Sequence, residues 1–175
     1  MKILSILLAA ALMAVVINQA NADPTAEAKF FAAYDAVNSQ DIETAELGAV
    51  QGASPEVRAL AVMVLRDHSG VRQMARDIAA QSGVVYALPK AAVESDDHLA
   101  AMAKLKGLEG RTFDEAYLKQ EVAFHRSAIA AVKSALVPNV ATAAFKQHLL
   151  DVLPAFEHHL METTATAKKF GVEVD

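Results

Sequence analysis

The chain of 175 residues contains no cysteine and no tryptophan. Without cysteine there can be no disulfide, so packing must stabilise the fold, and any metal site must use imidazole and carboxylate ligands. Glycine and proline are also scarce, at 7 and 5 residues, and most of them lie between segments of helical periodicity. Alanine, the best helix former, is frequent. This composition predicts an all-helical (all-α) protein.

The sequence also lacks an excess of positive charge. Its formal net charge is −5 and it has no basic block, which argues against nucleic acid as a partner. It has no glycine-rich phosphate loop, no dinucleotide fingerprint, and no serine spaced along a helix to pair with a histidine. These absences favour a protein that is not an enzyme, although they leave that question open.

The N-terminal segment has the pattern of a secretory signal peptide. Lys2 is followed by an apolar run over residues 3–17 and by Ala20-Asn21-Ala22, a small-x-small cleavage site. We predict cleavage after Ala22, which leaves residues 23–175 as a single domain. The alternative is an uncleaved membrane anchor, but the run is short compared with the roughly 20 residues needed to span a bilayer. The expected location is therefore periplasmic or secreted, with no transmembrane anchor after cleavage.

Apolar residues recur at spacings of three and four along four long segments and one short segment. Ser54-Pro55 is typical of a helix start, and Thr112 with Glu115 has the spacing of a capping box. Four long amphipathic helices predict a four-helix bundle with a short extra helix between the second and third long ones. The helices are predicted over about 25–50, 55–82, 96–106, 112–136 and 138–170.

Three histidines fall at core-facing positions of three different predicted helices: His68, His125 and His159. Glu121 lies one turn before His125, and Glu46 on the first helix can join them. A helical bundle builds a metal site from inward polar residues of facing helices. Imidazole with carboxylate suits a transition-metal ion such as iron, zinc or copper. These five residues are therefore the predicted metal ligands.

Two other interpretations use the same histidines. A buried histidine and glutamate hydrogen-bond network can simply satisfy the core of a non-catalytic envelope protein whose surface binds a partner. Alternatively, buried neutral histidines can make the bundle sensitive to acid. Asp67 is expected to form a surface salt bridge or to cap a neighbour, because it points about 100° away from His68 around the helix. His98 and His148 are expected to be solvated.

Several short segments resemble the bacterial family called domain of unknown function 4142. They lie in the same order along nearly the whole mature chain: Glu46–Gly48, Met63–His68, Thr112–Tyr117, Glu121–His125 and Leu153–Leu160. The resemblance implies an exported bundle of the ferritin-like type, with the family's recurrent histidines at His68, His125 and His159. Many members carry Asp before the second histidine, where this chain has Phe124. The resemblance implies no established activity.

Overall fold

The structure is a computed structural model that describes residues 24–87 and 95–174, and these residues are all-helical, as the sequence predicts. The predicted signal peptide and part of the connector before the short helix lie outside the described residues. No helix within the described ranges combines the length and the apolar character needed to span a bilayer. The helices are α1 Pro24–Gln51, α2 Pro55–Gln81, α3 Asp96–Lys106, α4 Gly110–Ala131 and α5 Ala143–Lys169.

Side-chain caps start two of these helices. Ser54 Oγ accepts a hydrogen bond from the Val57 amide at 3.2 Å, and Pro55 follows as the first residue of α2. Ser95 Oγ accepts from the His98 amide at 3.3 Å at the start of α3. Each serine thus satisfies an amide that has no partner inside its helix. The predicted start of α2 is confirmed.

The predicted capping box at the start of α4 is wrong. The helix begins at Gly110, so Thr112 already lies within its first turn. There the Thr112 hydroxyl donates a hydrogen bond to the Glu109 carbonyl at 2.7 Å, and Glu115 pairs with Arg111 instead of reaching back. Because the helix starts two residues earlier than predicted, the amide that Thr112 would cap already lies within a helical turn and needs no cap.

The last helix also starts later than the sequence predicts. Residues Val132–Leu136 continue α4 as a π-helical segment, and Val137–Asn139 add one more α-helical turn that contains Pro138. Helix α5 begins only at Ala143. Buried Glu27 of α1 accepts hydrogen bonds from the amides of Ala141 and Thr142 at 2.6 and 3.2 Å. This carboxylate satisfies the first amides before α5 and fixes the break there.

The four long helices pack in a closed ring: α1 against α2 and α4, and α5 against α4 and α2. Their apolar side chains form two clusters at different positions along the helix axes. One contains Phe31, Phe145 and Phe156, and the other contains Val57 and Phe113. Along α2, α4 and α5 the buried histidines lie between the residues of the two clusters. The core is therefore interrupted by one polar layer.

Two histidines outside this layer are buried, which contradicts the expectation that they are solvated. His98 is 7 % exposed and its Nε2 lies 3.0 Å from Glu43 Oε2, because its place in the first turn of α3 faces α1. His148 is also 7 % exposed, and its Nε2 lies 3.2 Å from the Tyr34 hydroxyl. Both contacts join separate helices, and the polar residues near these histidines in sequence gave no sign of them.

Candidate metal centre

The polar layer brings together His68 of α2, His125 of α4 and His159 of α5. Their side chains are 1, 0 and 0 % exposed. The ring centroids lie 5.4, 5.3 and 5.2 Å apart for the pairs 68–125, 68–159 and 125–159. One nitrogen from each ring lies within 4.8 Å of the other two. The three helices thus place three imidazoles at the corners of a nearly equilateral triangle.

Each ring has one nitrogen directed at an acceptor outside the triangle. His125 Nδ1 donates to the Glu121 backbone carbonyl at 3.0 Å. His159 Nε2 donates to Asp67 Oδ2 at 3.1 Å. His68 Nδ1 lies 3.0 Å from Asn38 Oδ1. The Asn38 amide nitrogen is already donating to the Tyr34 carbonyl, so its oxygen is the atom that accepts from His68.

These partners determine the tautomer of each neutral imidazole. A neutral ring carries one N–H, and in each ring that hydrogen is used by the outer acceptor. The remaining nitrogens, Nε2 of His68, Nε2 of His125 and Nδ1 of His159, therefore present lone pairs to the interior. Two of these lone pairs face each other across 3.3 Å, on His125 and His159. Metal-binding histidines have this same arrangement, in which an outer acceptor orients the ring and leaves the other nitrogen for the ion.

Asp41 of α1 is a fourth member of the cluster, and the sequence analysis missed it. Its side chain is 1 % exposed, and Oδ2 lies 3.0 Å from His68 Nε2 and 3.7 Å from His125 Nε2. At 3.0 Å the oxygen and nitrogen are close enough to hydrogen-bond, but the angles do not meet hydrogen-bond geometry, and neither Asp41 oxygen has another hydrogen-bond partner among residues 24–87 and 95–174. Four potential donor atoms thus come from four helices.

A signal for Asp41 was present in the periodicity of α1. One row of buried residues has alternating spacings of three and four along this helix. Its members are Phe31, Tyr34, Asn38, Asp41, Ala45 and Gly48. Glu46 lies about 140° around the helix from Asp41 and is exposed. The expectation that Glu46 faces inward is therefore wrong, and α1 brings Asp41 to the histidines in its place.

Glu121 is buried beside the cluster, as expected from its spacing to His125. Its Oε2 lies 3.7 Å from His125 Nδ1, and potential ligand atoms of Asp41, Glu121 and His125 lie within 4.8 Å of one another. Neither Glu121 oxygen has a hydrogen-bond partner among the described residues, and the same holds for the hydroxyl of Tyr117. One turn earlier on α4, Tyr117 is fully buried as well.

Burial shifts the pKa values of these groups in opposite directions. It lowers the pKa of His159 to about 4, despite the hydrogen bond to Asp67, and it lowers the pKa of His125. Burial and the nearby charge of Asp41 raise the pKa of Glu121 well above its ordinary value. Burial raises the pKa of Asp41, but the interactions with the histidines, His68 first, outweigh it and lower the pKa. Neutral imidazoles at His125 and His159 and an ionised carboxylate at Asp41 are the protonation states that metal ligands need.

Asp67 has two partners, of which the sequence predicted one. Its Oδ1 pairs with Arg66 at 2.7 Å on the surface, as expected. Its other oxygen accepts from His159, so Asp67 joins the outside of the cluster. Burial opposes ionisation, but Arg66 and His159 together lower the pKa of Asp67. With a side chain 29 % exposed, Asp67 connects the buried histidine to the protein surface.

Three separations within the cluster are close to those between ligands of a single ion. Ligands at about 2.0–2.2 Å from one ion in tetrahedral geometry lie roughly 3.3–3.6 Å from one another. Three of the six separations among the four donor atoms measure 3.0, 3.3 and 3.7 Å. Around a tetrahedral ion, three nitrogens and one oxygen from side chains no more than 1 % exposed would complete the ligand set. Such closed sets are typical of structural zinc sites, whereas catalytic zinc sites keep one position for water.

A family model described as Domain of unknown function (DUF4142) matches residues 14–166, which cover all four residues of the cluster. No curated protein and no solved structure matches the chain.

Proposed function

We propose a metal-binding function for this chain, which belongs to the DUF4142 family. His68, His125, His159 and Asp41 bind one transition-metal ion in the core. Iron, zinc and copper all accept imidazole with carboxylate ligands. The observation that supports this most strongly is the pair of lone pairs on His125 Nε2 and His159 Nδ1, which face each other across 3.3 Å. A cation between them converts a repulsive contact into two ligand bonds.

The closed ligand set limits what the ion does. All four donors come from protein side chains, so a tetrahedral ion such as Zn²⁺ has no position left for a water or a substrate. The bound ion therefore stabilises the packed helices or is held and carried by them. A role in holding or delivering metal follows from this geometry more directly than hydrolysis does.

The fold proposal is a ferritin-like four-helix bundle of α1, α2, α4 and α5, with α3 as the short extra helix. The ring of packed helices and the polar layer in its middle support it. We further propose that residues 1–22 are a signal peptide and that residues 23–175 form one periplasmic or secreted domain. Intact-mass measurement of the protein from a periplasmic extract tests this, with an N-terminus at Asp23 expected and a chain that retains Met1 contradicting it.

The competing explanation is a hydrogen-bond network without metal. In that case a proton replaces the ion, and one histidine is a buried imidazolium beside Asp41. This network leaves the facing nitrogens of His125 and His159 dependent on one shared proton. It also predicts that added metal has no effect on stability, whereas an ion bound by the native state must raise it.

Untagged protein, stripped of metal and titrated with Zn²⁺, Cu²⁺ or Fe²⁺ under reducing conditions, tests the proposal. Elemental analysis after desalting is expected to show retained metal in the wild type and none in the triple variant H68A/H125A/H159A. If the triple variant does not fold, the single variant His159→Gln is measured in its place. Its control is His158→Gln, which changes the exposed neighbour. Equal metal content in wild type and His159→Gln contradicts the proposal.

A further inference from the structure

We propose that the core holds a second divalent cation beside the first, bound by Glu121, Tyr117 and the second oxygen of Asp41. Asp41 then bridges two ions. This inference rests on the proposed function, because Asp41 is shared with the ion held by the three histidines. It assigns a role to buried polar atoms of α4 that the first ion does not use.

The first observation is a group of buried polar atoms without partners. Both oxygens of Glu121, both oxygens of Asp41 and the hydroxyl of Tyr117 are buried and form no hydrogen bond with any described residue. None of the ion pairs within residues 24–87 and 95–174 joins Glu121 or Asp41 to a lysine or arginine. A single buried polar group left without a partner costs about 1–3 kcal/mol, and a charged one costs more. Five such atoms are therefore expensive to bury unless a cation lies among them.

The second observation is the distance between these groups. Potential ligand atoms of Asp41, Glu121 and His125 lie within 4.8 Å of one another. Asp41 Oδ2 is the oxygen that approaches His68 and His125, so Oδ1 remains for a second ion. A carboxylate that uses its two oxygens for two ions fits protein two-ion sites, in which the ions are about 3.5–4 Å apart.

The third observation is how the fold keeps Tyr117 in place. Gly48 of α1 packs against its ring, and a Cβ at Gly48 would lie 2.5 Å from Tyr117 Cε2 and 3.0 Å from Ala61 Cβ. Tyr117 and Glu121 are four residues apart on α4 and therefore share one face. The glycine thus provides the space for the phenol ring on the face of α4 that also carries Glu121.

The ligand chemistry separates the two positions. The histidine position has three nitrogens and one oxygen, which suits Zn²⁺ and Cu²⁺ as well as iron. The second position has only oxygens from Glu121, Asp41 and Tyr117, and oxygen ligands of this kind suit Mn²⁺, whereas imidazole suits Zn²⁺ and Cu²⁺. We therefore expect Mn²⁺ to enter the second position when Zn²⁺ already occupies the first.

The test uses the whole protein loaded with one equivalent of Zn²⁺ and then titrated with Mn²⁺. Loss of the electron paramagnetic resonance signal of aqueous Mn²⁺ measures binding. Wild type is expected to keep its Zn²⁺ and to bind one equivalent of Mn²⁺. Glu121→Gln is expected to keep Zn²⁺ and to bind Mn²⁺ at least about tenfold more weakly, because a lost ligand costs no less than a lost outer partner.

Glu46→Gln is the matched control, since it removes an exposed glutamate and should behave like wild type. Tyr117→Phe provides a second variant if Glu121→Gln fails to fold, and it should also weaken Mn²⁺ binding selectively. Wild type that keeps Zn²⁺ but does not bind Mn²⁺, or Glu121→Gln that binds Mn²⁺ as wild type does, overturns the second site and leaves the first intact. Wild type that binds neither ion overturns both.

Discussion

His125 Nε2 lies 3.3 Å from His159 Nδ1, and neither nitrogen carries a hydrogen when both rings are neutral. Their other nitrogens donate to the Glu121 carbonyl and to Asp67, which fixes both tautomers. Two lone pairs at this distance repel each other unless a proton or a metal ion lies between them. The choice between these two occupants decides what the polar layer does.

Metal should stabilise the wild type and should do so through the histidines. Zn²⁺ at a hundredfold excess over its dissociation constant adds about 2.7 kcal/mol to the free energy of unfolding. For a domain of this size that corresponds to a rise in melting temperature of roughly 5–10 °C. Scanning calorimetry of metal-free protein with and without Zn²⁺ measures it. His158→Gln should show the same rise, and a comparable rise in His159→Gln would place the ion elsewhere.

Asp67→Asn should weaken metal binding without changing its stoichiometry. Asp67 orients His159 through its Nε2 but does not face the interior of the cluster. Loss of an outer partner of this kind typically lowers metal affinity by about 10–100-fold. Competition titration with a chromophoric chelator measures the affinity. Arg66→Gln, which breaks only the surface ion pair with Asp67, is the control, and an unchanged affinity in Asp67→Asn would show that this contact does not support the site.

Gly48→Ala should destabilise the protein, although alanine is the better helix former. The new Cβ would lie 2.5 and 2.7 Å from two atoms of the Tyr117 ring, and overpacking of this kind costs about 1–3 kcal/mol. Gly70→Ala in α2 meets no atom within 4 Å and should instead stabilise by up to about 1 kcal/mol. Urea denaturation of both variants measures the difference. Equal effects would mean that Tyr117 does not press on α1.

The metal-free protein should lose stability as the pH falls from about 6.5 to about 4. Burial holds the pKa of His159 near 4, so the folded state binds fewer protons than the unfolded state over this interval. The contribution is complete above the ordinary histidine pKa of about 6.5 and amounts to about 3 kcal/mol. Urea midpoints at several pH values measure it.

His159→Gln should flatten this part of the pH profile, whereas exposed His158→Gln should leave it unchanged. The raised pKa of Glu121 acts in the opposite sense, since its contribution is present at low pH and declines as the pH rises. Glu121 is common to both variants, so the difference between them isolates His159. Identical profiles would contradict the assignment.

The three histidines could be placed from the sequence because each lies at the centre of an apolar stripe with helical spacing. His125, for example, lies among four apolar residues at −7, −3, +4 and +7: Leu118, Val122, Ile129 and Val132. Periodicity of this kind indicates which face of a helix is buried. It also correctly indicated that the described residues are all-helical.

The carboxylate from α1 could not be placed as easily. The inward stripe of α1 consists largely of small and polar residues around Asn38 and Asp41, so an argument from apolar neighbours favoured Glu46 beside Ile42. The outer partners Asn38 and Asp67 depend on ring orientations, which no spacing rule supplies. The capping carboxylate of Glu27 is more than a hundred residues from the amides it satisfies. Contacts of such long range become visible only when the helices are packed.

Anomalous diffraction from crystals of the Zn²⁺-loaded protein, collected at the zinc edge, tests the central claim most directly. We predict one strong peak at about 2.0–2.2 Å from His68 Nε2, His125 Nε2, His159 Nδ1 and Asp41 Oδ2. A peak bound by other residues, or a core without a peak in crystals grown at saturating Zn²⁺, would contradict the account.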